Sequence, residues 1–134
     1  MEPWLEEIPG ARALHNWFGF WPTFHDAEVI SLSLNRERDS VLDIHTWDMT
    51  NQLDERGFYI LQKHVVVRFI LNEIIDVELA GFNGQNVLFD LTLHQNTEGY
   101  GLHLDPCYGL GGSITAKRLS IELESAPKFL VDQF

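Results

Sequence analysis

Apolar residues recur at every second position over most of the chain, which is the pattern of strands with one buried face. The alternation begins at Glu28, where Ile30, Leu32 and Leu34 fall on one side and Ser31 and Ser33 on the other. Similar runs continue to Glu124, separated by polar or glycine-containing turns, one of them at Asn72-Glu73. The pattern predicts about seven strands, within residues 28–34, 41–48, 58–69, 75–79, 87–94, 102–105 and 118–124.

Short connections between these runs favour an antiparallel sheet over a parallel sheet with helical crossovers. One helix is predicted over residues 9–18, because Leu14, Trp17 and Phe18 have helical spacing and Gly19 can end it. We therefore predict a mostly β (α+β) fold, an antiparallel meander or sandwich-like domain with a short N-terminal helix. A single domain over 1–134 would contain the helix at 9–18, a β region at 28–124 and a tail at 125–134.

The composition fits one soluble domain. The chain has 134 residues, of which 45% are hydrophobic, enough for one core. It has no apolar run long enough to cross a membrane, and its acidic N-terminus does not resemble a signal peptide, so we expect a cytoplasmic protein. Cys107 is the only cysteine, and we expect it to be a buried, inert thiol. The apolar tail, residues 129–134, could pack on the domain or form a homodimer.

Acidic residues number 20 and basic residues 9, giving a formal net charge of -11. A field of that sign repels phosphate backbones and anionic lipids, so we expect neither nucleic acid nor membrane as a partner. Two explanations of the excess stay open. One is solubility alone, and the other is attraction of a cation or a basic protein.

The most individual segment is the run from Trp21 to Glu28, just before the first strand. Its adjacent His25 and Asp26 occur together in metal-dependent phosphohydrolases, but neighbours in an extended segment point to opposite faces and would not chelate one ion. We predict a structural role, with Asp26 capping backbone amides and His25 bonded within an aromatic corner. The nearby aromatic residues would seat the helix on the sheet, although they could instead line a ligand cleft. These are Trp17, Phe18, Phe20, Trp21 and Phe24.

No complete catalytic or metal motif stands out in the sequence. The six histidines lack the close spacing of zinc sites, and the chain has no Gly-x-Ser-x-Gly elbow. A polar-face site would require a particular strand order to bring together His45, His94 and His103 with Asp43, Asp90 and Asp105. We therefore predict no catalytic residue, no metal and no cofactor, and we read the glycine-rich segment 109–112 as a flexible turn.

The segment from Phe18 to Val29 resembles the signature of the immunity protein 50 family, which comprises proteins predicted to neutralise toxins of bacterial polymorphic toxin systems. Residues 65–69, 82–87 and 108–113 resemble later landmarks of that family. The resemblance implies a cytosolic, mostly β protein that has no cofactor and catalyses no reaction, and that binds a cognate protein toxin. It also implies that Trp21, Pro22, Phe24, His25, Asp26 and Glu28 are signature residues, for which we expect a structural role.

Many such toxins are basic enzymes, so an acidic surface would accelerate association with them. The candidate toxin-facing residues are those acids that fall on outward strand faces: Asp43, Asp76, Glu78, Asp90, Glu122 and Glu124. Two alternatives remain. The chain could be a small metal- or ligand-binding enzyme that uses His25, Asp26 and polar-face histidines and aspartates, or an adaptor that binds another basic protein.

Overall fold

The fold is that of a computed structural model, which describes residues 1–132. Six antiparallel strands make up most of it: β1 Glu28–Ser33, β2 Ser40–Leu53, β3 Tyr59–Ala80, β4 Val87–Gln95, β5 Tyr100–Tyr108 and β6 Gly111–Ser125. Three helices flank them: α1 Pro3–Glu6, α2 Ala11–Phe18 and α3 Lys128–Val131. The mostly β, antiparallel fold with a short N-terminal helix is thus confirmed.

The strands close into a barrel in the order β1-β2-β3-β6-β5-β4. Two three-stranded meanders, β1-β2-β3 and β4-β5-β6, are joined along one side by the long β3–β6 ladder, which runs from Val65↔Ser125 to Ala80↔Gly111. On the other side the two meanders meet at a single ladder pair, Glu28↔Val87. Closure on that side therefore needs further support from the loop before β1.

Inward-facing positions of the strands form one hydrophobic core, as the alternation predicts. Leu42 on β2 and Phe69 on β3 lie opposite each other in the ladder, and neither has exposed surface. Other fully buried members come from β4, β5, β6 and α2: Leu14, Leu88, Leu102, Leu104 and Ile114. The core thus holds both meanders and the N-terminal helix together.

The strand count differs from the prediction because β3 is continuous through Asn72-Glu73, where the sequence predicts a turn. Glu73 has a left-handed backbone conformation, with φ 57°, and the register with β6 shifts between Ile74 and Asp76. A polar pair there produces a bulge rather than a reversal, because pairing with β6 resumes beyond it. The segments 64–69 and 75–79 are therefore parts of one 22-residue strand.

The N-terminal segment covers an edge of β6 that β5 leaves uncovered. β5 pairs with β6 only as far as Ala116, whereas β6 continues to Ser125. The carbonyl of Pro9 accepts a hydrogen bond from the amide of Ile121, at 2.7 Å, on that edge. Helix α2 begins at Ala11 rather than residue 9, because Gly10 before it is left-handed, with φ 89°.

The tail contains the short helix α3, in which Leu130 is buried and Phe129 is exposed. The prediction of a dimer through residues 129–134 extends to positions 133 and 134, which lie outside the described residues. Cys107 is exposed rather than buried, because it follows Leu104, the last residue of β5 that pairs with β6. Within residues 1–132, none of the helices has the length and apolar character to span a membrane.

We predict that Gly10→Ala destabilises the fold far more than Gly57→Ala. Both glycines are left-handed, so alanine costs about 1–2 kcal/mol at either position for the backbone conformation alone. At Gly10 the new Cβ would also lie 1.7 Å from the carbonyl oxygen of Ile121, whereas at Gly57 it meets no described atom within 4 Å.

Urea unfolding should give a free energy of unfolding lower by at least about 2 kcal/mol for Gly10→Ala than for Gly57→Ala. Equal losses in the two variants would contradict the close packing of the N-terminal segment on β6.

Candidate functional site

The loop before β1 runs beside β4 and completes the closure of the barrel. The amide of Leu91 donates to the carbonyl of Thr23 at 3.1 Å, and the amide of Asp26 donates to that of Leu88 at 2.9 Å. The ladder pair Glu28↔Val87 itself consists of two bonds, from the amide of Leu88 to the carbonyl of Ala27 at 2.9 Å and from the amide of Val29 to that of Asn86 at 2.8 Å. The loop acts as an irregular extension of β1, since backbone groups of β4 that would otherwise lack partners bind to it.

Phe24 anchors this loop in the core. Its side chain is 1% exposed and its ring lies 5.8 Å from that of Phe69, edge to face. Phe24 and Asp26 both have φ of 64°, an unfavourable value for residues other than glycine. The surrounding hydrogen bonds and the buried ring hold the loop in this conformation.

The remaining side chains of the loop lie nearer the surface. His25 is half exposed, with Nδ1 3.0 Å from the carbonyl oxygen of Phe89 and its ring edge-on to the Phe89 ring. Its Nε2 lies 3.5 Å from a carboxylate oxygen of Asp26, which is equally exposed. Pro22 is buried and Trp21 partly buried. His25 thus bonds within an aromatic corner, whereas the Asp26 carboxylate contacts His25 rather than capping amides.

The four segments that carry the family resemblance meet in the fold. Phe24 contacts Phe69 at the end of segment 65–69, and Val29 bonds to Asn86 in segment 82–87. Asn86 is buried, and its Oδ1 accepts hydrogen bonds from the amides of Asn83 and Leu110, the latter in segment 108–113. These segments therefore share one structural region around the closure of the barrel.

Glu28 on β1 belongs to a second cluster, which it forms with side chains of β2 and β3. Its Oε1 lies 3.4 Å from Nδ1 of His45, whose side chain has no exposed surface. His45 Nε2 is 3.0 Å from Nδ1 of His64, so one of the two rings donates a hydrogen bond to the other. Trp47 packs against both rings, at centroid distances of 4.9 and 5.8 Å. This row of acid and imidazole groups runs from the rim of the barrel toward the β2–β3 hairpin.

Burial shifts the protonation of the whole cluster toward neutral forms. Burial lowers the pKa of His45 to about 4. The pKa of His64 is lowered by burial and then by the charge that His45 would carry. Burial raises the pKa of Glu28. At neutral pH both histidines are therefore uncharged, which suits a hydrogen bond between the two rings.

A bulge beside this cluster separates the barrel from the projecting part of the hairpin. The β2–β3 register shifts between Thr46↔Val65 and Asp48↔Gln62, so Trp47 lies opposite two residues. One of these is Lys63, with φ of 56°. Its carbonyl accepts a hydrogen bond from Nε1 of Trp17 at 2.9 Å, which fixes the bulge to α2.

Beyond the bulge, residues 48–62 form an arm that extends past the barrel. Pairing is confined to β2 with β3 there, since β1 ends its pairing at His45 and β6 ends at Val65 among the described residues. The arm exposes several large apolar side chains: Met49, Leu53, Phe58, Tyr59 and Ile60. A groove of about 910 Å³ lies between the arm and the end of α3, and His64, Val131 and Asp132 contribute to its walls.

Three of the six candidate toxin-facing acids surround Arg68 on the outer face of β2, β3 and β6. Arg68 Nε lies 2.9 Å from Asp43, and Nη1 lies 2.6 Å from Glu124. Glu122 is the β6 residue opposite Arg68 in the ladder. Interaction with Asp43 raises the pKa of Arg68. One cation thus faces three acids, and this part of the surface remains negative.

The other three candidates lie farther along the β3–β6 ladder and on β4. Asp76 and Glu78 are exposed on β3, where they face Thr115 and Ser113 of β6. Asp90 on β4 lies directly opposite Asp105 on β5, an arrangement of like charges that costs stability in a sheet. The six acids are therefore divided between two surfaces and do not form a single patch.

The histidines considered for a polar-face site are also separated. His94 and His103 lie on the adjacent strands β4 and β5, whereas His45 lies on β2, two strands beyond β6. Within the described chain, no three His, Cys, Asp or Glu side chains are grouped so that they could hold a metal ion. The strand order that such a site requires is thus absent from residues 1–132.

Comparison of the chain with models of known protein families, with curated proteins and with solved structures finds no match. Sequence reasoning missed the arm and the His45–His64 pair. Both depend on the register between β2 and β3, which a one-residue bulge changes. The consecutive apolar residues Phe58-Tyr59-Ile60-Leu61 were the available signal for the arm, because an ordinary half-buried strand would alternate there.

If the loop before β1 has a structural role, Phe24→Ala should lower the free energy of unfolding by about 3–5 kcal/mol, because it leaves a cavity in the core. His25→Ala should cost only about 1 kcal/mol, since the lost hydrogen bond lies at the surface. Urea unfolding of both variants measures the difference. A His25→Ala loss as large as that of Phe24→Ala would contradict this ranking.

The protonation of His45 should make the fold less stable in mild acid. In the unfolded chain His45 binds a proton with a pKa of about 6.5, whereas in the folded protein it does so only at about 4. The stabilising effect is complete above pH 6.5 and is lost as the pH falls toward 4. From pH 7.5 to pH 5 the loss is about 2 kcal/mol. His64 acts in the same direction, and Glu28, with its raised pKa, partly offsets both.

Urea unfolding at both pH values should show a smaller decrease for His45→Gln than for the unchanged protein. The matched control is His103→Gln, on the exposed face of β5, which should keep the full decrease. A decrease unaffected by His45→Gln would show that another group controls the acid sensitivity.

Proposed function

We propose that this chain is a binding protein that neutralises a basic protein toxin, as its resemblance to immunity proteins implies. The observation that carries the proposal is the arm, residues 48–62. Its apolar side chains lie outside the main hydrophobic cluster of the barrel, and Phe58 and Leu53 are 63% and 58% exposed. Contiguous exposed apolar side chains of this kind mark interaction surfaces in soluble proteins.

The charge distribution supports a basic partner. A net charge of -11 produces a long-range attractive field for a cation, and acids lie toward both ends of the β3–β6 ladder. Such a field raises the association rate by about 10- to 1,000-fold at low salt. It contributes less to the dissociation rate, which depends on contacts made after docking. We therefore assign steering to the acidic faces and close contact to the arm.

One observation favours a second candidate, a small ligand-binding enzyme. The row of Glu28, His45 and His64 connects a carboxylate through two imidazoles to the wall of the groove, and such rows can transfer protons. This row replaces the pair His25 and Asp26 as the basis for an enzyme. Turnover that is lost in His64→Gln, in a variant that still folds, would favour this candidate over toxin binding.

The toxin proposal is tested by co-expression with the polypeptides encoded beside this gene. We expect one of them to be toxic alone, to be tolerated together with this chain, and to elute with it as a stoichiometric complex in size exclusion. Harmless neighbours that form no complex would refute the toxin proposal. A stable complex with a harmless neighbour would identify an adaptor instead.

Charge reversal should then slow association. The double variant Asp76→Lys/Glu78→Lys should reduce the association rate about tenfold at low salt and flatten its salt dependence, with little change in dissociation. The control Glu37→Lys/Glu98→Lys makes the same change in net charge at two exposed turns. Surface plasmon resonance at several salt concentrations measures the rates. Equal effects of the two double variants would show that Asp76 and Glu78 have no special position.

A further inference from the structure

We propose that the β3 edge of the arm, Tyr59–Gln62, pairs with an extended segment of a partner protein in which apolar and basic side chains alternate. This inference rests on the proposed binding function and names the surface and the partner chemistry. It would add a strand to the sheet in line with β6, beyond the point where β6 ends.

Among residues 1–132, no strand pairs with this edge, because β6 stops short of the arm. The last β3–β6 pair is Val65↔Ser125, after which Ala126 and Pro127 lead into α3. Proline has no amide hydrogen and cannot extend the ladder as a donor. In an antiparallel pair, half of the backbone groups of a strand point away from its neighbour, so those of Tyr59–Gln62 point toward the position that β6 vacates.

The groove between the arm and α3 follows this edge. Four consecutive residues of the hairpin, 58–61, contribute to its walls, and successive side chains of a strand point to opposite faces. Because side chains from both faces of the strand line the groove, the groove runs along the edge of the strand rather than over one face. Val131 and Asp132 form part of its other wall. The groove therefore has room for a strand between β3 and α3.

The charge of the groove walls favours a basic partner segment. The charged groups in the walls are Asp54, Asp132 and Arg56, and Arg56 already lies 3.9 Å from Asp54 and over the ring of Phe58. The excess is negative, so basic side chains of an incoming strand fit beside the apolar walls. A second copy of this chain would bring another -11 of charge, which opposes pairing between two arms.

Lys63 limits the length of the segment. Its carbonyl already accepts the hydrogen bond from Trp17, so pairing ends at Gln62. At about 3.3 Å per residue, the edge is about 13 Å long and pairs with four or five residues of a partner. When a strand is added to a sheet edge in this way, main-chain hydrogen bonds provide the affinity and alternate side chains provide the specificity.

The test uses the whole protein and a synthetic peptide of eight alternating lysine and valine residues with blocked ends. Fluorescence anisotropy measures its affinity, and amide shifts of ¹⁵N-labelled protein locate it. We expect saturable binding with shifts concentrated at residues 58–62 and at Val131 and Asp132. A peptide of the same charge that is N-methylated at every second residue should bind at least tenfold more weakly, because it lacks the amide hydrogens of one edge.

Two substitutions on β3 provide matched variants. Ile60 lies in the groove and Ile75 lies outside it, and both are 38% exposed. Ile60→Lys should weaken peptide binding at least tenfold, whereas Ile75→Lys should change it less than about twofold. Equal losses, shifts spread over the acids of the barrel, or no saturable binding up to about 1 mM would overturn the inference.

Failure of this inference is distinguishable from failure of the proposed function. If Ile60→Lys still protects cells and still forms the stoichiometric complex with the neighbouring toxin, the toxin binds elsewhere and only the β3 edge is ruled out. If the unchanged protein protects against no neighbouring polypeptide, the toxin proposal itself fails.

Discussion

Closure of the barrel depends on a set of backbone hydrogen bonds between the loop before β1 and β4. A single ladder pair, Glu28↔Val87, would leave the two meanders joined along one side only. The loop adds two bonds beyond that pair, Leu91 to Thr23 and Asp26 to Leu88, and it places the Phe24 ring against Phe69 in the core. Two residues with positive φ are needed for this path. The other strands can keep their register around a common core because this seam holds the ends of the sheet together.

The sequence allowed the class of fold to be predicted because its dominant signal is alternation, which reports which strand face is buried. It did not indicate that β3 continues through Asn72-Glu73, since a turn and a bulge use the same polar residues. It also did not indicate barrel closure. Closure depends on hydrogen bonds of Leu91 with Thr23 and of Leu88 with Asp26, which join residues far apart in the chain. The candidate site was harder still to predict, because the bulge at Lys63 determines which side chains contact His45.

The segments that resemble an immunity family and the surface proposed for binding are neighbours in the fold but differ in burial. The former gather around the closure of the barrel, where Phe24, Phe69 and Asn86 are buried. The arm begins just past the Glu28↔His45 pair, at the same end of the β1–β2 pairing as the closure, and its large apolar side chains are exposed. A resemblance carried by buried residues concerns how a chain folds, and it does not indicate which residues contact a partner. The six candidate acids form a further group, on the outer faces of both meanders.

None of the arm residues belongs to the main hydrophobic cluster or packs against it as a partly buried neighbour. Most exchanges of side chain between Asp48 and Gln62 should therefore leave the barrel intact, because surface changes away from packed groups alter stability by only about 0.5 kcal/mol. Selection can then act on this hairpin with little interference from folding. Relatives that share the barrel would be expected to differ most in the arm, and exchange of the hairpin between two of them should transfer partner choice from one to the other.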